Sequence, residues 1–386
     1  MQNTARNATL SDLAALLTEQ HARKIDVVAN AAAIRSEGGV IVVHGTEPVL
    51  TDDGVTSADG RYQPTTVFDE GVSDKLGIPL AYVRRMREER PDLYDANVNG
   101  WLHGSDADPA DPRRFLVRAF RGDDGGTGVA RALLSDTYRR IDNLDVLVAA
   151  LDGVRSTGVP VEVEGCDLSD RNMHVRISAP SVQALAPVLL DGYRSPFTGA
   201  SGADNPVVWA GLVVRNSEVG AGAFTITPRL VVRVCKNGLT IQKDALRSVH
   251  LGGRMDEGVV SWGDDTQQKA LELVTLRARD AVRTFLDAGY VERTLKALEA
   301  EHTTPLVQVQ PTIEHVSKKL GFTQAVQAGV LDHFIRGGMP TAGGVLAAVT
   351  SYAQDVDDPD LAAELEASGI RAMELAAAHS VHLARV

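Results

Sequence analysis

Residues 209–241 read WAGLVVRNSEVGAGAFTITPRLVVRVCKNGLTI, and this run constrains the fold more than any other part of the chain. Valine, isoleucine and threonine dominate it. Branching at Cβ crowds a helix but suits a pleated surface. Gly220, Gly222 and Asn237-Gly238 fall between or after the apolar stretches, and Asn-Gly is a strong signal for a tight turn. The run therefore predicts antiparallel strands joined by short turns. Alternate strand residues share a face. Arg229, Val231 and Arg233 would lie on one face, with Leu230, Val232 and Val234 opposite. The first set carries two charges and is the predicted solvent face.

The flanks have a different period. Residues 9–36 predict a helix, with Thr9 or Ser11 as its cap and Leu13, Leu16, Leu17, Ile25 and Val28 at helical spacing. GGVIVVHG predicts a short strand and EPVLTDDGVTSADGRYQPT a turn-rich hairpin or loop. FDEGVSDKLGIPLAYVRRMREERPDLY predicts two short helices split at Gly77-Ile78-Pro79. GSDADPADP, residues 104–112, is a polar connector. RRFLVRAFRG and VARALLS predict a hairpin around the Gly/Asp turn at 122–128, followed by a helix starting near Asp142-Asn143. VPVEVEGCDLSDRNMHVRISAP predicts further strands. From 261 onward the pattern is helical again, with Leu271, Val274, Ala278, Val282 and Phe285 on one stripe. The predicted class is α+β, with a central antiparallel sheet between helical N-terminal and C-terminal regions. The predicted divisions are 1–104, 113–255 and 261–386.

Charge sharpens this picture. The 386 residues hold 39 Lys plus Arg against 51 Asp plus Glu, a net −12 that disfavours a uniformly basic nucleic-acid-binding module. The sum hides a local excess. Segment 113–140 has seven arginines and three acids, and segment 211–250 has six basic residues and two acids, so each stands at +4 within a remainder of −20. Residues 351–368 contribute six acids and no base. If the two basic β-rich segments pair or pack side by side, they would line a groove that tracks a phosphate backbone. The alternative is a solvated sheet face whose charges pair locally.

Motifs for other chemistry are absent from the sequence. It holds no GxxxxGK[ST] loop, HExxH, CxxC or GxSxG. Gly220-Ala221-Gly222 lies between strands, not between a strand and a helix, and lacks the context of a dinucleotide site. His44, His103, His174, His250, His315 and His333 share no ligand spacing, and no cofactor or metal is expected. Two cysteines, Cys166 and Cys235, form neither a disulfide framework nor a zinc site, although Lys236 beside Cys235 would lower that thiol's pKa. The N-terminus carries no charged lead before an apolar block, and no window approaches the ~20 apolar residues of a membrane helix. The expectation is a cytoplasmic protein without membrane association. Three polar clusters stand at strand ends: Ser135-Asp136-Thr137-Tyr138-Arg139-Arg140, Arg215-Asn216-Ser217-Glu218 and Cys235-Lys236-Asn237-Gly238. Each reads either as turn or cap chemistry or as the rim of a site.

FLVRAFRG, RALLSDTYRRIDNLDVL, GLVVRNSEVGAGAFTITPRLVVRVCKNGLTI and His250-Leu251-Gly252 occur in an order that resembles the phage- and plasmid-like family DUF932. The resemblance spans about 113–255, and TAGGVLAAVTSYAQ resembles the end of its longer members. It implies a role in the DNA metabolism of mobile elements. The element order is also similar to the β-β-β-α core of Rad52-like single-strand annealing proteins, which hold DNA in a basic groove and act as rings or filaments. The leading expectation is a homo-oligomer that binds and anneals single-stranded DNA without a catalytic residue. Arg114, Arg118, Arg131, Arg139, Arg140, Arg215, Arg229, Arg233, Lys236 and Lys243 would meet phosphates, Asn216 would join them at the rim, and Tyr138 or Phe224 would stack on bases. The alternatives are a metal-dependent nuclease using Asp136, Asp142 and Glu218, and a structural protein whose acidic C-terminal helices dock a partner.

Overall fold

The computed structural model describes residues 4–51, 54–104, 110–138, 141–234, 238–248 and 264–384. β1 (Ala5–Ala8) leads into α1 (Leu10–Arg23), which Thr9 caps by accepting the Asp12 backbone N–H. β2 (Lys24–Asn30) follows directly, so the helix predicted over 9–36 ends at Arg23. Ile25 and Val28 are three apart, as on a helix. The residues actually buried are Ile25, Val27 and Ala29, while Val28 is 44% exposed. That two-residue period belongs to a strand.

β3 (Ile34–Glu37), β4 (Val40–Val43), β5 (Val49–Thr51), β6 (Gly54–Thr56) and β7 (Gly60–Pro64) come next. α2 (Thr66–Leu76) stops at Gly77, whose φ of 70° is left-handed backbone that glycine adopts without a Cβ clash. α3 (Leu80–Glu89) starts after Pro79, and α4 (Pro91–His103) begins on a second proline. The predicted pair of helices is thus three, because Pro91 opens a new one. β8 (Arg114–Phe120) and β9 (Gly128–Ser135) form the predicted hairpin, and α5 (Asn143–Arg155) starts after Asp142 as expected.

The second half brings β10 (Glu162–Leu168), β11 (Met173–Leu185), α6 (Pro187–Leu190), β12 (Val207–Asn216), β13 (Phe224–Val232), β14 (Gly238–Thr240) and β15 (Leu246–Ser248). The helical tail is α7 (Asp264–Phe285), α8 (Ala288–His302), α9 (Val309–Leu320), α10 (Gln324–Gly337), α11 (Ala342–Tyr352) and α12 (Pro359–Leu383). Among the described residues no helix is long and apolar enough to cross a membrane.

The class is α+β, but the strands form two large sheets rather than one. The first has the order β2-β8-β9-β7-β4-β3, the second β1-β10-β11-β12-β13-β14 with β15 also on β13, and β5-β6 stand apart. Among the described residues only β7-β9 is parallel. Strand pairing crosses the divisions that composition suggested. Residues 114–135 complete the first sheet with strands from 24–64, and β1 joins the second sheet through β10. The two basic segments therefore lie in different sheets.

Each sheet has its own apolar cover. Phe68, Val72, Val83, Met86, Tyr94 and Val98 of α2–α4 pack on Ile25, Val27, Phe115 and Val117 of the first sheet. On the second, Val175, Ile177, Ala210, Leu212, Val214 and Ile226 share a core with Leu13 and Leu17 of α1, Val146 and Ala150 of α5, and Val274, Ala278 and Val282 of α7. α5 and α7 meet at Gly153, where an added Cβ would lie 2.5 Å from the Thr275 carbonyl oxygen and 2.6 Å from Ala278 Cβ. Gly153→Ala is expected to destabilise the fold by about 1–3 kcal/mol through overpacking. Gly100→Ala, at an exposed position of α4 with nothing within 4 Å of the added Cβ, is expected to stabilise by about 0.5–1 kcal/mol through helix propensity. Urea titrations of both variants check the opposite signs.

Candidate functional site

Several of the residues singled out in the sequence do converge, at the seam between the two sheets. In β8, Phe115, Val117 and Ala119 enter the first core, so Arg118 points the other way, toward the second sheet. A register shift at Arg118/Ala119 against Ala132/Ala130 accommodates it. Arg118 is 0% exposed. Its Nε and Nη2 donate to both Asp26 oxygens at 2.8 and 2.9 Å, Nη2 also to Asp142 at 2.6 Å, and Nη1 to the Glu218 carbonyl at 2.7 Å. Lys24 donates to the other Asp142 oxygen. Arg131 pairs with Glu218 at 2.6 Å and lies 4.2 Å over the Phe120 ring. Asn216, fully buried, donates to Asn143 Oδ1 at 2.9 Å and to the Ile141 carbonyl at 3.2 Å. Tyr138 packs beside Gly220, and burial pushes its phenol up to about 12.

Three cations (Lys24, Arg118, Arg131) face three carboxylates (Asp26, Asp142, Glu218), so this seam is electrically closed. Burial disfavours the charged form of Asp142, but Arg118 and Lys24 outweigh it and hold the carboxyl well below the ordinary range. Arg118 and Arg131 are committed to these pairs and leave no free guanidinium for a phosphate, which corrects their expected role. The acids of the nuclease reading are likewise engaged. Asp142 and Glu218 bind the seam cations, and Asp136 pairs with Arg114 at the surface, 3.2 Å away. Among the described residues no group of three His, Cys, Asp or Glu is arranged to hold a metal.

The other polar surface is the outer face of the second sheet. Arg229, Val231 and Arg233 share it, as their alternation requires, but its central part is not solvent-exposed. Arg229 is 3% exposed and Val231 0% exposed. The Arg229 guanidinium donates to both Glu366 oxygens of α12, at 2.9 and 3.2 Å, and to Glu164. It lies so close over β14 that a Cβ at Gly238 would fall 1.9 Å from its Nε. Glycine at 238 thus makes room for the arginine.

The start of α12 is bound to the same face. Asp360 accepts from Ser169 Oγ at 2.6 Å, Asn172 Nδ2 at 2.6 Å and His174 Nε2 at 3.2 Å. Burial opposes ionisation of Asp360, and these bonds overcome it, bringing the carboxyl down to about 2. Arg215 donates to Asn172 Oδ1 at 3.0 and 3.1 Å. The acidic tail therefore covers the middle of the face that the alternation assigned to solvent.

Arg233 stands beyond this cover. It is exposed, pairs with no carboxylate among the described residues, and sits 6.0 Å over the Trp209 ring. Trp209 lies opposite Val231 on β13 and Gln183 on β11, and the neighbouring Leu185 is 71% exposed. Sequence reasoning missed Trp209. The available signal was its position two residues before Gly211, on the face shared with Arg229. Phe224 is 1% exposed and belongs to the core, so it does not stack on a base as expected. Arg114 is exposed in its pair with Asp136. Arg139, Arg140, Cys235, Lys236 and His250 lie outside the described residues, as does the Lys243 side chain.

Arg118→Met would strand Asp26 and leave Asp142 with Lys24 alone, and chemical denaturation is expected to show a loss of about 3–5 kcal/mol. Asp360→Asn tests the α12 contact through acid. A depressed carboxyl contributes stability that is fully present above its unfolded value of about 3.9 and lost as pH falls through its folded value. The gap in melting temperature between wild type and Asp360→Asn should be constant above about pH 5 and close toward about pH 2. A gap independent of pH would contradict the contact.

No family model, curated protein or solved structure matches this chain, so the family resemblance rests on its own sequence blocks.

Proposed function

We propose that this protein binds single-stranded DNA without sequence preference on the outer face of the second sheet, and that copies assemble to anneal strands in phage or plasmid DNA metabolism. The observation that carries the reading is the exposed Arg233 guanidinium over Trp209. Every base has a π-face, so an aromatic platform holds any sequence, and stacking contributes about 1–3 kcal/mol per base. A guanidinium at the platform's edge meets the adjoining phosphate with a fork of donors. Gln183 and exposed Leu185 extend the surface on the neighbouring strand. A platform of this size engages only a nucleotide or two. Useful affinity then comes from repeating it along a strand in a homo-oligomer. The buried seam and the buried Arg229 hold the sheet in place and take no part in binding.

Fluorescence anisotropy with a labelled oligonucleotide tests this at two salt concentrations. Trp209→Ala is expected to weaken binding by about 5- to 150-fold, the equivalent of one lost stack. Arg233→Gln is expected to reduce the salt slope by about 0.7 per copy engaged. Both variants should keep the wild-type melting temperature, whereas Arg229→Gln should lower it by leaving Glu164 and Glu366 unpaired. Absence of binding by wild type at low salt would overturn the proposal.

A further inference from the structure

α9 and α12 pack side by side and bring together a group of cations that neither the seam nor the outer sheet face uses. His315, Lys318 and Lys319 fall on one stripe of α9, and His379 and His382 on one stripe of α12. The rings of His315 and His379 stack nearly parallel, at 4.3 Å and 13°. Lys318, Lys319 and His382 are exposed.

The hydrogen bonds assign the tautomer of His379. Thr312 Oγ1 donates its one proton to the Gln308 carbonyl at 2.6 Å, so it can only accept from His379 Nδ1, 3.2 Å away. Neutral His379 therefore carries its proton on Nδ1, and Nε2 is where a second proton adds. That proton creates a new donor and places an imidazolium against the stacked ring of His315.

The surrounding charges do not compensate it. Burial lowers the His315 pKa first, and the positive charges of His379, Lys319, His382 and Lys318 lower it further, in that order. Nearby acids have other partners. Glu314 on α9 accepts from Gln310, and Glu374 on α12 pairs with Arg371. On α10, Asp332 pairs with Arg336, and α11 carries no charged residue. α8, which also packs on α12, carries Glu292, Arg293, Lys296, Glu299 and Glu301, a mixed set with no ion pair to this group among the described residues.

We infer that the stacked His315–His379 pair with Lys318, Lys319 and His382 is a binding site for a small soluble anion bearing a multiply charged phosphate, taken up together with protons. Two stacked imidazoles resist double protonation because like charges would meet face to face. An anion lying across their outer edges removes that penalty and accepts from the lysines at the same time. Anion and proton then each favour the other's binding, which is thermodynamic linkage. The site is separate from the oligonucleotide surface and does not depend on it.

Inorganic pyrophosphate is the probe. Calorimetry with the full chain at about pH 5.5 and about pH 8, on either side of the ordinary histidine value, should show at least tenfold tighter binding at the lower pH. In wild type, NMR of the histidine rings should show pyrophosphate raising the titration midpoint of His315 by about one unit, the counterpart of a tenfold coupling. This arm needs no variant and so survives any folding defect. His315→Gln with His379→Gln should reduce the preference for the lower pH, and Lys318→Gln with Lys319→Gln should weaken binding at both pH values. Arg233→Gln should leave pyrophosphate binding unchanged, so failure of the oligonucleotide proposal would not touch this one. Affinity equal at the two pH values, or an unmoved His315 midpoint, would overturn it. Preferential binding to phosphatidic acid vesicles over free pyrophosphate would overturn the soluble ligand.

Discussion

Arg118 carries a full charge into the seam with no exposure of its own to water, and the relation between the two sheets depends on how that charge is satisfied. Its partners come from three places: Asp26 on the neighbouring strand of its own sheet, Asp142 at the start of α5, and the Glu218 carbonyl after β12. The last two belong to the side of the second sheet. A buried guanidinium with each of its nitrogens engaged tolerates little displacement, because any gap leaves a desolvated charge unpaired. Apolar side chains would hold the sheets together with less directional preference. The ion network instead holds one register between the β8–β9 hairpin and the turn after β12. Arg131, Glu218 and Asn216 extend it, and their commitment explains why residues at the ends of apolar strands are polar without being exposed.

The second sheet repeats the principle on its outer face. Arg229 is buried because Glu366 and Glu164 meet it, and α12 crosses that face with Asp360 bound to the β10–β11 turn. The acidic tail and the basic sheet are thus parts of one structure. Among the described basic side chains of segment 211–250, Arg229 is neutralised inside the fold and Arg215 is bonded to Asn172. Among those described side chains, the one at the surface is Arg233, over Trp209 at the end of the sheet. A polyanion reading of the whole face becomes a reading of that end, where an aromatic ring and a cation share an open strand surface.

Much of the local structure was legible in the sequence. The two-residue period of 209–241, the hairpin around 122–128, the cap at Thr9, the start of α5 and the apolar stripe of α7 all follow from spacing and turn chemistry. Errors arose where two periods coincide. Ile25 and Val28 fit a helix, yet pairing with β8 selects Ile25 and Val27. Phe224 read as a stacking candidate for its ring alone, although the alternation that groups Arg229 with Arg233 puts it on the opposite face with Leu230, which enters the core.

Sequence alone determined the α+β class, the alternation that places Arg229 with Arg233, and the concentration of positive charge in two segments. Those are local properties, set by side-chain branching, backbone freedom and neighbours within a few residues. Only the tertiary structure decided that the segments join different sheets, that Arg118 and Arg229 are buried, and that Arg233 is not. The partners responsible lie far along the chain: Asp26 is 92 residues from Arg118, and Glu366 is 137 from Arg229. A charge is exposed or buried according to what packs over it, and in this protein the covering element is supplied by a distant part of the chain.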